Sequence, residues 1–227
     1  MSEGKKALLL IGSPRGLKSS SAALGTYMLK QLNAGGYGGE TLHMQPIVRS
    51  EDGLRNLASA IVDPDIIIFA SPLYIDSIPA PVIEGMEFLK KIRSVTRPVK
   101  DQRLIALVNG GFPEPSQSAT ALKIYRQFAK EAGFIWAGGL AYASGEAGIR
   151  GKPLDSLGFM GRNIRKSIDS AAAALAEGKP VPDSAVTLSA KPIIPVWMVM
   201  LIGNRFWKQQ VKDHKTWEAI GSRPYRK

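Results

Sequence analysis

Residues 6–33 carry the sequence KALLLIGSPRGLKSSSAALGTYMLKQLN, in which three patterns follow one another. The opening run, which ends at Ile11, is typical of a β-strand that is buried on both faces. Leu24, Met28 and Leu32 then recur every four residues, which predicts a helix, and the serines before them offer N-caps. The stretch therefore predicts a strand, a glycine- and serine-rich turn and a helix, which is the usual opening unit of a parallel sheet.

The same alternation of apolar runs and helical patterns continues to about residue 177. Further strands are predicted at residues 39–45, 65–70, 103–108 and 134–142. Further helices are predicted at residues 51–61, from Pro81 onwards, at 116–132 and at 156–177, after a first helix at 20–33. Five strands that alternate with helices predict an α/β fold of three layers, with a five-stranded parallel sheet in the flavodoxin-like order 2-1-3-4-5.

In such a sheet a ligand binds outside the carboxyl ends of the strands, which here are followed by loops at 12–21, 71–80 and 109–116. The first loop leads into a helix N-terminus, where free N–H groups and a partial positive charge attract a phosphate. Arg15 and Lys18 add positive charge. The loop has neither a GxGxxG pattern nor a Walker lysine, so it favours a single phosphate over a dinucleotide or a nucleoside triphosphate. The alternative is a polar turn with a serine N-cap.

The second and third loops offer flat, mostly apolar surroundings. SPLYIDSIPA, at residues 71–80, combines prolines, an aromatic side chain and aliphatic ones, which suit a flavin ring. NGGFPEP, at residues 109–115, has paired glycines that free backbone N–H groups, and a phenylalanine that could cover a ligand. Each loop alone could be an ordinary connection. The three together, at strand ends that share one edge, predict a binding site.

These three segments, GSPRGLKSSS, ASPLYIDSIPAPVIEGME and NGGFPEP, resemble the flavodoxin-like NAD(P)H-dependent FMN reductase and quinone reductase superfamily over roughly residues 6–145. The resemblance implies an FMN flavoprotein that takes hydride from NADH or NADPH and passes electrons to a small acceptor such as a quinone or free flavin. It implies a phosphate site at Ser13, Arg15, Ser19, Ser20 and Ser21. It implies a ring site at Pro72, Leu73, Tyr74, Ile75, Asn109, Gly110, Gly111 and Phe112. It also implies a homodimer.

The resemblance assigns no side chain a catalytic role, although Tyr74 is the nearest candidate because it would lie beside the ring. The chain has no cysteine, which excludes disulfides, thiol catalysis and the iron–sulfur subgroup of the superfamily. With only His43 and His214, a catalytic triad or a histidine-rich metal site is disfavoured, and no metal is predicted. The rival function is a flavodoxin-type electron carrier that does not oxidise NAD(P)H itself. Such carriers tend to be acidic, whereas this chain is basic.

The net charge is +11, and the segment 191–227 holds eight Lys/Arg against two Asp/Glu. No nucleic-acid-binding module is recognisable, so no nucleic-acid partner is predicted. Residues 178–195 contain four prolines and are predicted to be a surface linker. An apolar run at 196–202 and a basic, helix-like stretch to about residue 220 follow, with tryptophans at 197, 207 and 217.

The chain is accordingly divided into a flavin-binding body at residues 1–180 and an extension at 181–227. The extension is expected to pack across the body or a second subunit, with peripheral contact to a membrane surface as the alternative. Its apolar run is too short to span a bilayer, and the N-terminal residues lack a signal-peptide pattern. A cytoplasmic location is therefore predicted.

Overall fold

The predicted apolar runs form the central sheet in a computed structural model, which describes residues 4–96, 100–143, 148–193, 195–213 and 222. The strands are β1 Lys6–Ile11, β2 Gly38–His43, β3 Ile66–Pro72, β4 Arg103–Asn109 and β5 Ile135–Tyr142. All neighbouring strands pair in parallel, and their order is β2-β1-β3-β4-β5. The flavodoxin-like order that the sequence predicts is therefore confirmed.

Helices cover both faces of the sheet. They are α1 Ser20–Ala34, α2 Met44–Ile47, α3 Glu51–Ala60, α4 Ala80–Val95, α5 Ala119–Glu131, α6 Arg162–Ala176, α7 Asp183–Ser189 and α8 Val196–Asp213. Helices α1 and α6 share a buried cluster on one face of the sheet, whereas α3, α4 and α5 share a second cluster on the other. The three predicted layers are thus present.

Strand β1 shows why a continuous apolar run is needed at the centre of the sheet. Leu9 and Ile11 belong to the cluster with α1, and Leu8 and Leu10 belong to the cluster on the opposite face. All four side chains are fully buried. Because successive side chains of a strand point to opposite faces, a strand covered by helices on both sides must be apolar at every position.

The predicted surface linker at 178–195 is wrong in one respect, because it contains helix α7. The N–H of Val181 donates to the carbonyl of Ala137 in β5 at 2.7 Å, and the Ser167 hydroxyl donates to the carbonyl of Ala185 at 2.8 Å. The prolines that suggested a linker lie before and after this helix. Its small residues, which also suggested a linker, allow the close approach to α6. The division of the chain near residue 180 stays a prediction.

The predicted helix at 156–177 begins later than expected, at Arg162. A short 3-10 turn, Leu154–Leu157, comes before it and ends at Gly158, whose φ is 53°. The predicted helix-like stretch at 205–220 is helical to Asp213. Residues 214–220, which include Trp217, lie outside the described ranges. No helix in the described part of the chain combines the length and apolar character that crossing a membrane requires.

Candidate functional site

The three predicted loops meet at the carboxyl edge of the sheet, where backbone hydrogen bonds join them. The N–H of Gly12, which opens the first loop, donates to Ala70 of β3 at 2.8 Å. The N–H of Leu73, in the second loop, donates to the carbonyl of Asn109 at 2.9 Å. The N–H of Gly110, in the third loop, donates to Tyr142 at 2.9 Å. Each loop is therefore anchored to a neighbouring strand.

Two glycines shape the first loop. A Cβ on Gly12 would lie 2.4 Å from Cγ2 of Val82, so only glycine lets this turn pack against α4. Gly16 has a φ of 58°, a region that glycine adopts readily, and its N–H donates to the carbonyl of Ser13 at 3.0 Å. The same carbonyl accepts a 2.7 Å hydrogen bond from Nε2 of His43, at the end of β2. His43 thus supports the loop, a role that its position in the sequence does not signal.

The serines of this loop are all buried, and hydrogen bonds of Ser13 and Ser19 hold the loop itself together. Ser19 is the N-cap of α1, because its Oγ accepts from the N–H of Ala22 at 3.0 Å. The same hydroxyl donates to Gly16 at 2.6 Å. The Ser13 hydroxyl accepts from the N–H of Arg15 at 3.3 Å, and Ser20 is 1% exposed. The loop therefore combines a helix N-terminus, buried hydroxyls and the exposed side chain of Arg15.

Asn109 connects all three loops. Its side chain, part of a residue that is 5% exposed, accepts a 2.6 Å hydrogen bond from the hydroxyl of Ser21, the second residue of α1. Its backbone carbonyl accepts from Leu73, and the residue itself opens the third loop. Ser21, which the resemblance places at the phosphate, is thus 88 positions from its partner in sequence but bonded to it in the fold.

The second loop contains a strained two-residue turn. Tyr74 and Ser77 exchange backbone hydrogen bonds of 2.8 and 3.1 Å across Ile75 and Asp76, whose φ angles are 48° and 60°. Such turns favour Asn-Gly, because both central residues are left-handed, and a β-branched residue there is a conformational outlier. Left-handed backbone costs roughly 1–2 kcal/mol per non-glycine residue. The turn holds the side chain of Ile75 99% exposed.

Each loop also presents an exposed apolar side chain. These are Leu17 (73% exposed) in the first loop, Tyr74 (48%) and Ile75 in the second, and Phe112 (66%) in the third. Beside Phe112, a Cβ built on Gly111 would meet no atom within 4 Å, so the backbone there faces open space. Pro72 and Leu73 are half-buried at the base of the second loop. The carboxyl edge is therefore open and apolar above its buried polar base.

Two further segments support the site and were not predicted. The hydroxyl of Tyr125, in α5, donates to the Ser71 hydroxyl at 2.8 Å, and burial raises the pKa of this phenol far above its ordinary value. A Cβ on Gly151 would lie 2.3 Å from the carbonyl of Lys18, so residues 150–152 pack against the first loop. The exposed Arg150 therefore stands beside that loop. Tyr125 lies on the apolar face of the amphipathic helix α5. The sequence pattern therefore predicts that its side chain is buried, but it does not predict the hydrogen bond of its hydroxyl.

The three loops thus assemble cations, a helix N-terminus, glycine backbone and exposed apolar side chains at one edge. Within the described ranges, no three His, Asp or Glu side chains are grouped as a metal ion would require. The arrangement can hold an anionic group at the first loop and a flat apolar group against the other two. This chemistry suits a phosphate-bearing aromatic ligand.

No protein-family model and no curated protein matches the chain. Solved structures do resemble it. An NADH:FMN oxidoreductase in its apo form has a TM-score of 0.57 and 16% identity, covering 84% of this chain and 96% of that one. An FMN-dependent NADH-azoreductase from Bacillus anthracis, in complex with FMN, has a TM-score of 0.55 and 13% identity, covering 76% and 100%.

A flavone reductase has a TM-score of 0.56 and 15% identity. The match covers 77% of this chain but only 65% of the length of the flavone reductase. At these identities the likeness concerns the fold. The five-stranded parallel sheet and its flanking helices are those of flavodoxin-like proteins.

Proposed function

We propose that the chain binds FMN at its three carboxyl-edge loops and acts as an NAD(P)H-dependent oxidoreductase with a small-molecule electron acceptor, such as a quinone or free flavin. The observation that carries the proposal is the convergence of the three loops on Asn109, which brings the predicted phosphate turn and the predicted ring loops to one place. The solved structures named above support the same reaction type, since all three are reductases or oxidoreductases by name.

The phosphate of FMN would bind in the first loop, at Ser13, Arg15, Ser19, Ser20 and Ser21. Ser19 can both cap α1 and bind the phosphate. Its hydroxyl can donate to a phosphate oxygen instead of the carbonyl of Gly16 and still accept from the N–H of Ala22. Ser21 would contribute chiefly by holding the loop against Asn109. Arg15 would supply the charge that a dianionic phosphate requires.

The ring of FMN would bind against Pro72, Leu73, Tyr74 and Ile75 on one loop and residues 109–112 on another. Bound FMN would supply the redox chemistry, by accepting a hydride from NADH or NADPH and returning electrons to the acceptor. The residues of the chain would bind and orient the two reactants and exclude water from them. No acid or base is needed from the protein for hydride transfer to the flavin.

The first experiment is a titration of the purified protein with FMN and with riboflavin, followed by flavin fluorescence. The double variant Arg15→Gln/Lys18→Gln should raise the Kd for FMN at least about 10-fold, because charged hydrogen bonds to phosphate are lost. It should leave the Kd for riboflavin, which has no phosphate, unchanged. Lys123→Gln/Arg126→Gln, a matched change on α5, should alter neither. If the Kd for FMN were unchanged in the Arg15→Gln/Lys18→Gln variant, the proposal that the first loop binds the phosphate would be wrong.

The second experiment separates an enzyme from an electron carrier of the flavodoxin type. The FMN-loaded protein is mixed anaerobically with NADH and, separately, with NADPH, while the visible absorbance of the flavin is recorded. An oxidoreductase should lose this absorbance within its turnover time with at least one donor. A carrier would keep the flavin absorbance until a separate reductase is added, and that result would favour the rival function.

The homodimer stays part of the proposal and is measured by light scattering.

A further inference from the structure

Helix α8, Val196–Asp213, differs from the long helices of the body because no residue whose side chain is described in it is buried. The large apolar side chains of this helix are among the most exposed in the chain. They are Trp197 (68% exposed), Met200 (57%), Leu201 (62%), Phe206 (57%) and Trp207 (67%). Exposure of this much apolar surface is costly in water and marks a site of interaction.

The cations of α8 are grouped on one side. At 100° per residue, Arg205, Lys208 and Lys212 fall within a sector of about 60°. Val196, Met200, Trp207 and Val211 fall within another sector of about 60°, whose centre lies about 120° away. The second half of the helix thus has a basic side and an apolar side, whereas its first eight residues, 196–203, carry no charge at all.

We propose that α8 is a membrane-binding helix that lies in the interface of an anionic lipid surface. Its apolar side would enter the boundary between headgroups and acyl chains, where Trp is favoured, and its cations would pair with lipid phosphates. The charge of the surrounding segment fits this partner, since residues 191–227 carry eight Lys/Arg against two Asp/Glu. The proposal needs no helix that spans the bilayer, and it does not depend on the proposed flavin chemistry.

A lipid surface fits α8 better than a second copy of the helix does. In residues 196–203 apolar side chains surround the axis, with Trp197 and Leu201 outside the sector of Met200 and Trp207. A partner helix would cover a single seam and leave the others exposed, whereas headgroups and acyl chains adapt to a wide apolar face. A parallel two-fold pair would also bring the same cations of both copies to the same level, whereas anionic lipids would neutralise them.

The test is co-sedimentation of the full chain with vesicles of phosphatidylcholine alone and of phosphatidylcholine mixed with phosphatidylglycerol. The chain should bind the anionic vesicles at low salt and bind them less at high salt, since exposed charges are screened. Arg205→Gln/Lys208→Gln/Lys212→Gln should lower the partition coefficient on the order of 100-fold, because each cation contributes about 1 kcal/mol near such a surface. The matched control Lys123→Gln/Arg126→Gln/Lys130→Gln on α5 should keep most of the binding.

The apolar side is tested by Met200→Ser/Trp207→Ser, which should abolish binding, against Phe159→Ser, which changes an exposed phenylalanine of the body and should not. Thermal unfolding should be the same for the helix variants and the parent chain, because α8 buries no described side chain in the body. Absence of binding to anionic vesicles at low salt would overturn the proposal. So would a stable dimer, measured by light scattering, that the Met200→Ser/Trp207→Ser variant converts to a monomer.

Discussion

Two buried amide side chains stand at opposite ends of β4, and each connects several parts of the chain. Gln102, just before the strand, is 1% exposed, and its amide nitrogen donates to Ile61 at 2.7 Å and to Pro64 at 2.8 Å. Its side-chain oxygen accepts from Arg93 of α4. Asn109, at the other end, joins α1 to the second and third loops. The same kind of residue thus organises both edges of one sheet.

The two edges differ in what surrounds these amides. At the amino edge, Arg93 stacks on Phe134 at 3.7 Å and donates to Ala132 at 2.6 Å, and burial lowers the pKa of its guanidinium. Asp65 accepts from the N–H of Lys6 at 2.7 Å. The polar groups of Gln102, Arg93 and Asp65 at this edge are thus paired with one another or with neighbouring backbone.

The carboxyl edge has strained backbone instead. Among the described residues, those other than glycine with positive φ are Ile75, Asp76 and Arg150, in or beside the loops of the site. Strain persists where the surrounding structure imposes it, and it is concentrated at functional sites. One edge of the sheet thus serves stability, whereas the other gives up some stability to expose a candidate binding surface.

The largest effect on stability is expected from Gln102→Ala. The change leaves two buried carbonyls and the guanidinium of Arg93 without their partner, which should lower the free energy of unfolding by about 3 kcal/mol. Urea denaturation measures this loss. Gln127→Ala, which removes an exposed glutamine bonded only to Glu131 in the described structure, should cost less than about 0.5 kcal/mol. FMN affinity of the folded Gln102→Ala protein should stay within about 2-fold of the parent, and a larger change would contradict the separation of the two edges.

Asn109→Ala should have the opposite balance of effects, with a smaller loss of stability and a larger loss of FMN affinity than Gln102→Ala. It removes one buried hydrogen bond, to Ser21, and should lower the free energy of unfolding by about 1–2 kcal/mol. It should raise the Kd for FMN at least about 10-fold, because the first loop loses its connection to the other two. Asn56→Ala, on the exposed side of α3, is the control. If flavin binding survived Asn109→Ala unchanged, the convergence of the loops on this residue would no longer support the proposed function.

The sheet and the meeting of the three loops at its carboxyl edge could be predicted from the sequence because both depend on pattern. Apolar runs between helical patterns predict parallel strands, and topology alone places a ligand at their carboxyl ends. Both edges nevertheless depend on contacts between distant residues. Gln102 precedes a strand and resembles any polar residue in a loop, although it is buried and bonds to the segment 61–64 and to Arg93 of α4.

The roles of individual serines were also hidden. The residues from Ser19 to Ser21 form one polar run in the sequence, yet the structure uses Ser19 as a helix cap and bonds Ser21 to Asn109. Helix α7 was missed because its small residues and flanking prolines suggest a linker, and only the surfaces of α6 and β5 make it a packed helix. Local pattern predicts an element, but the partner of a side chain depends on the assembled fold.

A gain in stability, rather than a loss, is expected from Ile75→Asn/Asp76→Gly, which is the sharpest test of the strained edge. Asn-Gly suits two consecutive left-handed residues, so the free energy of unfolding should rise by about 1–2 kcal/mol. The pair Val62→Asn/Asp63→Gly makes the same change where neither φ is positive, and it should not stabilise the chain. Equal gains in both variants would show that no strain is held in the turn. If only the first gains, and its affinity for FMN or for an electron acceptor falls, then the exposed Ile75 is what the strain maintains, and the carboxyl edge gives up stability for binding.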